Sequence, residues 1–165
     1  MVQPTNIPED AQAGESARAC AERLAREKAL FIAAQRPGDL ILGADTIVVV
    51  DGEMLGKPAD TKDAKRMLKT LSGRDHEVIT GVCLTGPGFV DVRSESTRVT
   101  MSALSEQDIS FYVSSGEPMD KAGAYAIQGI ASRWIPRIEG DYANVVGLPV
   151  ALVYRMMQEH SVERR

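Results

Sequence analysis

The chain has 165 residues, of which 44% are hydrophobic and 25% charged, values that are ordinary for a soluble globular protein with a substantial core. The net charge of −4 argues against nucleic acid as a partner, so a nucleotide would need a local basic pocket. Two separated cysteines (Cys20 and Cys83) and two histidines form no zinc-binding pattern, no apolar run could span a membrane, and reduced core thiols favour a cytoplasmic protein.

The first predicted helix covers residues 15–34. Residues 1–14, which include Glu9, contain prolines and a glycine and are predicted to form a loop. The apolar residues at helical spacing are Ala17, Cys20 or Ala21, Leu24 and Phe31. Pro37-Gly38 ends the helix, and Lys28 in its second half is by pattern alone an exposed charge.

A β-hairpin is predicted over residues 40–58. The run from Leu40 to Leu42 is typical of a buried strand, and Gly43-Ala44 would let another group approach the backbone closely. After a second apolar run, Asp51-Gly52 predicts a two-residue turn.

This hairpin would bring Asp45, Thr46 and Lys57 to one rim. A carboxylate suits Mg²⁺ and an ammonium offsets phosphate charge, so the set favours a metal-bound polyphosphate. Taken alone, however, an Asp at a strand end is more often a turn or cap residue, and Gly56-Lys57-Pro58 is a common loop tripeptide.

The middle of the chain predicts two helices and three strands. They are a helix capped by Asp60-Thr61 and ended by Ser72-Gly73, strands over 76–85, 89–92 and 95–101, and a helix from a capping box at 105–108 to Gly116.

Residues 117–129 form a second unusual stretch. Small residues dominate it and leave room for a ligand near the backbone, while Asp120, Lys121 and Gln128 add acid, base and amide groups.

The remaining elements complete an α/β pattern. A strand over 133–139 contains a proline and is therefore predicted at an edge or bulge. A last helix begins at Pro149 with Val150, Val153, Met156 and Met157 facing inward, and a charged tail follows over 160–165. The order of elements predicts a mixed, twisted sheet flanked by helices, with functional loops along one side.

Six segments, in this order and at these separations, match the motifs of one protein family. They are Leu24-Ala25-Arg26-Glu27-Lys28-Ala29, Gly43-Ala44-Asp45-Thr46, Gly56-Lys57-Pro58, Leu71-Ser72-Gly73-Arg74, the run from Asp120 to Gly129, and Asn144-Val145-Val146-Gly147-Leu148-Pro149. From about residue 7 to the last helix, the sequence resembles the Maf family of nucleoside triphosphate pyrophosphatases. The resemblance implies hydrolysis of a nucleoside triphosphate to the monophosphate and pyrophosphate with a divalent metal, Mg²⁺ or Mn²⁺. It also implies a Maf/ITPase-like fold with a cleft between two lobes, often as a homodimer.

The resemblance implies roles in catalysis for Asp45, Glu9 and Lys57 and a role in substrate binding for Lys28, since Lys28 and Lys57 match cleft lysines of the family. Asp45 matches the acid assigned as catalytic base, and Glu9 matches an acidic residue of the loop before the first motif helix. Our hypothesis is that Asp45 and Glu9 hold the metal and that Lys57, with Lys28, balances phosphate charge.

Other residues are implied in substrate binding. Thr46 and Gln128 match positions tied to base choice, and the Asp-Thr pair with Tyr125 and Gln128 resembles the subgroup that acts on dTTP and UTP. Asp120 and Lys121 are expected to shape the same cleft.

One part of the family pattern has no counterpart. Family members begin with a strand and a Ser-x-Ser-Pro-Arg-Arg loop that touches the phosphates, and we expect a single Maf-like domain over 1–165 that is short at its N-terminus. A misassigned start, a truncation and a natural loss are all open. One alternative is a nucleotide-binding regulatory protein with weak or no turnover, and another is a pyrophosphatase for purines such as ITP.

Overall fold

A five-stranded sheet forms the centre of the computed structural model, which describes residues 1–160. Its strands are β1 (Ile41–Val50), β2 (Glu53–Leu55), β3 (Asp75–Gly86), β4 (Phe89–Thr100) and β5 (Arg137–Glu139). They lie in the order β2-β1-β3-β4-β5. The predicted α/β class with flanking helices is confirmed. The predicted mixture of strand directions is corrected, because all four pairings of the described strands are antiparallel. Strands β2 and β3 do run in the same direction, but β1 lies between them.

Helices cover both faces of the sheet. They are α1 (Ala17–Ala33), α2 (Thr61–Leu71), α3 (Glu106–Ser114), α4 (Tyr142–Val146) and α5 (Val150–Glu159). Three short 3-10 segments, Glu117–Asp120, Ala122–Ala124 and Ile130–Trp134, follow α3. Helix α1 packs on one face, whereas α2, α3 and α5 pack on the other. Within residues 1–160, no helix has the length and apolar character needed to cross a membrane.

Local capping signals define the helix starts. Asp60 accepts a hydrogen bond from the backbone of Asp63 at the start of α2. Ser105 and Asp108 form the predicted capping box of α3. Both predictions are confirmed. The sequence displayed these caps because each depends on groups within one helical turn.

Two glycines allow α1 to lie against the sheet. A Cβ atom on Gly43 would clash with the carbonyl oxygen of Ala25, and one on Gly81 would clash with that of Ala21. The predicted close approach at Gly43 is therefore confirmed, and the approaching group is the backbone of α1.

Several predicted side-chain orientations are wrong. Phe31 is 50% exposed because the buried stripe of α1 runs along its other side. Leu40 and Leu42 are exposed because β2 pairs only with the far end of β1. Val150 is exposed at the first position of α5, whereas Val153 is buried as predicted.

Two predicted strand boundaries also change. The strands predicted over 89–92 and 95–101 form one continuous strand, β4. The strand predicted over 133–139 is an edge strand, as expected, but it covers only Arg137–Glu139 because the preceding segment is a 3-10 helix. The predicted charged tail lies, except for His160, outside the described residues.

Candidate active site at the edge of the first strand

One cavity of about 600 Å³ brings together all the residues that the sequence analysis selected as candidate site residues. Those residues are Glu9, Lys28, Asp45, Thr46, Lys57, Asp120, Lys121 and Gln128. They come from the N-terminal segment, α1, β1, the segment after β2 and the segment after α3. The sequence analysis predicted that positions distant along the chain converge on one cleft, and in the structure they line one cavity.

The cavity lies along the edge of β1. Strand β2 pairs only with Val48–Val50, so within the described chain the rest of β1 is paired on its β3 side alone. Side chains alternate along a strand, so Asp45 faces α1 whereas Thr46 faces the opposite side of the sheet. The cavity passes around this edge of the sheet and is lined by both residues, so Asp45 contributes its carboxylate on one side of the sheet and Thr46 its hydroxyl on the other.

A lysine links the two candidate acids. Lys28 Nζ lies 2.5 Å from Asp45 Oδ1 and 2.8 Å from Glu9 Oε1. The Asp45 side chain is only 11% exposed, whereas that of Glu9 is 42% exposed. Lys28 is thus not the simple surface charge that its pattern indicated, since it is the cation of a three-member cluster.

Burial and pairing shift the pKa values in this cluster. Burial raises the pKa of Asp45 above its ordinary value, and the hydrogen bond from Lys28 offsets only part of this effect. Burial also disfavours the charged form of Lys28, but the hydrogen bonds to Asp45 and Glu9 outweigh it, so that its pKa is raised. The hydrogen bond from Lys28 lowers the pKa of Glu9. The outcome is a charged Lys28, a charged Glu9 and an Asp45 that is more basic than an ordinary aspartate.

Lys57 is available to an anionic ligand. Within residues 1–160 no hydrogen bond or ion pair restrains its ammonium. Its charge acts on the two acids from a distance, adding to the lowering of the pKa of Glu9 and offsetting a small part of the rise in the pKa of Asp45. Lys121 is different, because its Nζ lies 2.6 Å from Asp120 Oδ1 and the pair is largely exposed. Lys57 is therefore the cavity cation that a phosphate group could bind without breaking an ion pair.

Residues that the sequence analysis did not select hold the segment containing Gln128. The Tyr112 hydroxyl accepts a hydrogen bond from the Ala126 backbone at 3.0 Å. The Glu117 carboxylate accepts from the Ile130 backbone at 3.1 Å. The two contacts bracket Gln128, whose amide makes no hydrogen bond to a described residue and lies exposed at the cavity.

A buried hydroxyl lies behind Thr46. Thr80 is 0% exposed, and its Oγ1 lies 2.9 Å from Thr46 Oγ1 and 3.2 Å from the backbone oxygen of Asn144. Sequence reasoning missed Thr80, although a hydroxyl within the apolar run of β3 was a detectable signal. Asn144 was quoted only as part of a motif, and its burial depends on packing that the sequence does not display.

The donor set is compatible with a cation shared with a ligand. Among residues 1–160 there is no group of three or more His, Cys, Asp and Glu side chains that could hold a metal ion alone. Glu9 and Asp45 do converge, since both contact the ammonium of Lys28. Mg²⁺ is commonly bound by one or two carboxylates plus substrate phosphates and water, so these two acids fit such a site.

Comparisons with known proteins give a consistent result. Residues 1–160 match the family model described as Maf-like protein. A dTTP/UTP pyrophosphatase from Koribacter versatilis is 56% identical over 161 residues, which cover 98% of this chain and 83% of the relative. A protein of the same name from Syntrophomonas wolfei is 53% identical over 156 residues, covering 93% and 82%. One from Pyrococcus furiosus is 41% identical over 165 residues, covering 99% and 87%.

Proposed function

Because the chain belongs to the Maf family, we propose that it is a nucleoside triphosphate pyrophosphatase that hydrolyses dTTP and UTP to the monophosphate and pyrophosphate. The observation that carries this proposal is one cavity whose lining includes four acids, three lysines, the hydroxyl of Thr46 and the amide of Gln128. Its volume of about 600 Å³ lies in the range of small-molecule sites. The regulatory alternative gains no support from these relatives, which are named as enzymes.

Asp45 would be the proton acceptor of the reaction. Its carboxylate is buried and its pKa is raised, so it can accept a proton from a water molecule better than an exposed aspartate can. In this role Asp45 orients and deprotonates the water that attacks phosphorus. Lys28 holds the carboxylate in place through the contact at 2.5 Å.

The lysines would balance the charge of the phosphates. Lys57 is a cavity cation that forms no ion pair with a residue in the described part of the chain, and in a partly desolvated site an ammonium stabilises negative charge that builds up on oxygen. Lys121, which is paired with Asp120, would contribute less because its charge is already balanced.

Glu9 and Asp45 would together hold a divalent cation, Mg²⁺ or Mn²⁺, with phosphate oxygens and water as the remaining ligands. Bound there, the cation would neutralise phosphate charge and lower the pKa of a bound water. The homodimer and the cytoplasmic location stay predictions.

The proposal is tested by the variant Asp45→Asn. We expect release of pyrophosphate from dTTP to fall by about 10²-fold or more, because the amide cannot accept the proton. The matched control is Asp39→Asn, which removes an exposed carboxylate paired with Arg36, outside the residues that line the cavity. Thermal unfolding of both variants checks that the fold is retained.

Near-normal turnover of Asp45→Asn would remove Asp45 from the proposed role. A wild-type chain that binds dTTP but releases no pyrophosphate would contradict the proposed reaction and favour the regulatory alternative.

A further inference from the structure

Two threonines on neighbouring strands form a buried pair behind the cavity wall. Thr46 on β1 and Thr80 on β3 lie directly opposite in register, and their hydroxyl oxygens are 2.9 Å apart. Thr46 lines the cavity, whereas Thr80 is 0% exposed. Thr80 therefore does not contact a ligand in the cavity, and its hydrogen bond to Thr46 is a route by which it can influence one.

The direction of the hydrogen bond between the two hydroxyls follows from a third group, the backbone carbonyl of Asn144, which also contacts Thr80. A hydroxyl group has one hydrogen to donate, and a backbone carbonyl can only accept. Thr80 Oγ1 lies 3.2 Å from the carbonyl oxygen of Asn144, so Thr80 uses its hydrogen there. Thr46 must then donate its own hydrogen to Thr80, because the opposite direction would leave Thr80 and the carbonyl facing each other through lone pairs.

The terminal carbonyl is held firmly in place. Asn144 is 0% exposed, and its Nδ2 donates to the backbone oxygen of Val78 and to Thr97 Oγ1, both at 3.0 Å. These two bonds fix the start of the segment that leads to Gly147 at the cavity wall. The acceptor that sets the direction of the chain is thus part of the rigid core.

With its hydrogen committed to Thr80, Thr46 presents only lone pairs to the cavity. This oxygen lies near Gly147, another lining residue of the cavity, since a Cβ atom built on Gly147 would be 3.7 Å from it. A ligand group that contacts Thr46 Oγ1 must therefore be a donor.

We propose that the chain from Thr46 through Thr80 to the Asn144 carbonyl makes Thr46 an obligate acceptor for the ring N–H of thymine or uracil. This inference rests on the proposed function, since it concerns base selection in the same cavity. Thymine and uracil carry a hydrogen on N3, whereas cytosine has a lone pair there that would face the lone pairs of Thr46. Thr80 is then a positioning residue for specificity, although it touches no ligand. The amide of Gln128 can supply a donor to a neighbouring ring carbonyl.

The test compares kcat/KM for UTP and CTP in the wild type and in Thr80→Val. Valine has the same shape but no acceptor, so the Thr46 hydrogen becomes free to turn towards the ligand. We expect the UTP/CTP ratio to fall on the order of tenfold, which corresponds to the net value of one hydrogen bond. Thr80→Ser restores the hydroxyl and should restore the ratio.

A second variant separates this effect from a general loss of packing. Thr85→Val removes another buried hydroxyl of β3, which donates to the Phe89 carbonyl and does not line the cavity. It should leave the ratio unchanged even if stability falls.

The outcomes for this inference differ from those for the proposed function. A wild-type enzyme that hydrolyses UTP and CTP equally well, or a Thr80→Val enzyme with an unchanged ratio, would overturn the inference while the proposed function stands. A wild type without turnover would overturn the proposed function. In that case the inference about Thr46 and Thr80 would be tested by binding. The ratio of the dissociation constants of non-hydrolysable UTP and CTP analogues would be measured in the wild type and in Thr80→Val, and an equal ratio in the two proteins would overturn the inference too.

Discussion

His76 is expected to make the stability of this protein depend on pH. The ring is 4% exposed on β3, its Nε2 lies 2.6 Å from the Tyr125 hydroxyl, and its Nδ1 has no hydrogen-bond partner among the described residues. Burial lowers the pKa of His76 from 6.5 to about 4. Between these two values the unfolded chain binds a proton that the folded chain does not bind. The free energy of unfolding should therefore fall as pH decreases from 6.5 to about 4, by about 3 kcal/mol in total.

Urea unfolding at a series of pH values, from about 7.5 down to about 4, measures this effect. In His76→Gln the amide can still bond to Tyr125 but cannot titrate, so the variant should lose about 3 kcal/mol less than the wild type over this range. His160→Gln, which changes the chain's other histidine, is the control and should follow the wild type more closely. Identical pH dependence in the wild type and His76→Gln would refute the reasoning that a buried neutral ring opposes protonation.

Two further predictions concern α1 and Asp45. Gly81→Ala should lower the free energy of unfolding by about 1–3 kcal/mol, because its Cβ would clash with the Ala21 carbonyl. Gly56→Ala meets nothing within 4 Å and should have little effect on urea unfolding, so equal losses would contradict the close packing of α1. In the metal-free protein the pKa of Asp45 should lie above 3.8, because burial disfavours its charged form, and an NMR titration of the side-chain carboxyl carbon measures it. A titration midpoint at or below 3.8 would contradict this effect of burial.

The elements with local signals were predictable from the sequence. The Asp51-Gly52 turn, the Asp60 cap and the Ser105 capping box each depend on a few adjacent residues. Strand β4 was not predicted as one piece because Arg93-Ser94 reads as a polar interruption. In the structure Ser94 donates to the Glu22 carboxylate of α1 at 2.6 Å, so the sheet accommodates the polar residue through a partner distant in sequence.

The residues of the candidate site also separate into those that the sequence identified and those that depend on distant partners. Motif matches selected the residues that line the cavity, including Asp45 and Gln128. The supporting residues Tyr112 and Glu117 were missed because their partners lie more than ten residues away. Two further positions carried a signal that was overlooked. Thr80 is a hydroxyl within the apolar run of β3. Lys28, although selected by its motif, is by pattern alone an exposed charge, yet it follows the inward-facing residues Leu24 and Ala25 at helical spacing, where a charge requires a buried partner.

The register of β1 ties the proposed catalysis and base selection to one packing arrangement. Gly81 lies directly opposite Asp45 on the α1 face, and the lack of a side chain there lets α1 come close enough for Lys28 to reach Asp45. Thr46 lies opposite Thr80 on the other face. A slip of one residue would exchange the faces, so that the acid would meet the apolar core and the hydroxyl would meet the lysine. A variant that loosens α1, such as Gly81→Ala, should therefore lower the turnover of UTP, because the contact between Lys28 and Asp45 is weakened. The same variant should change the UTP/CTP ratio of kcat/KM less than Thr80→Val does.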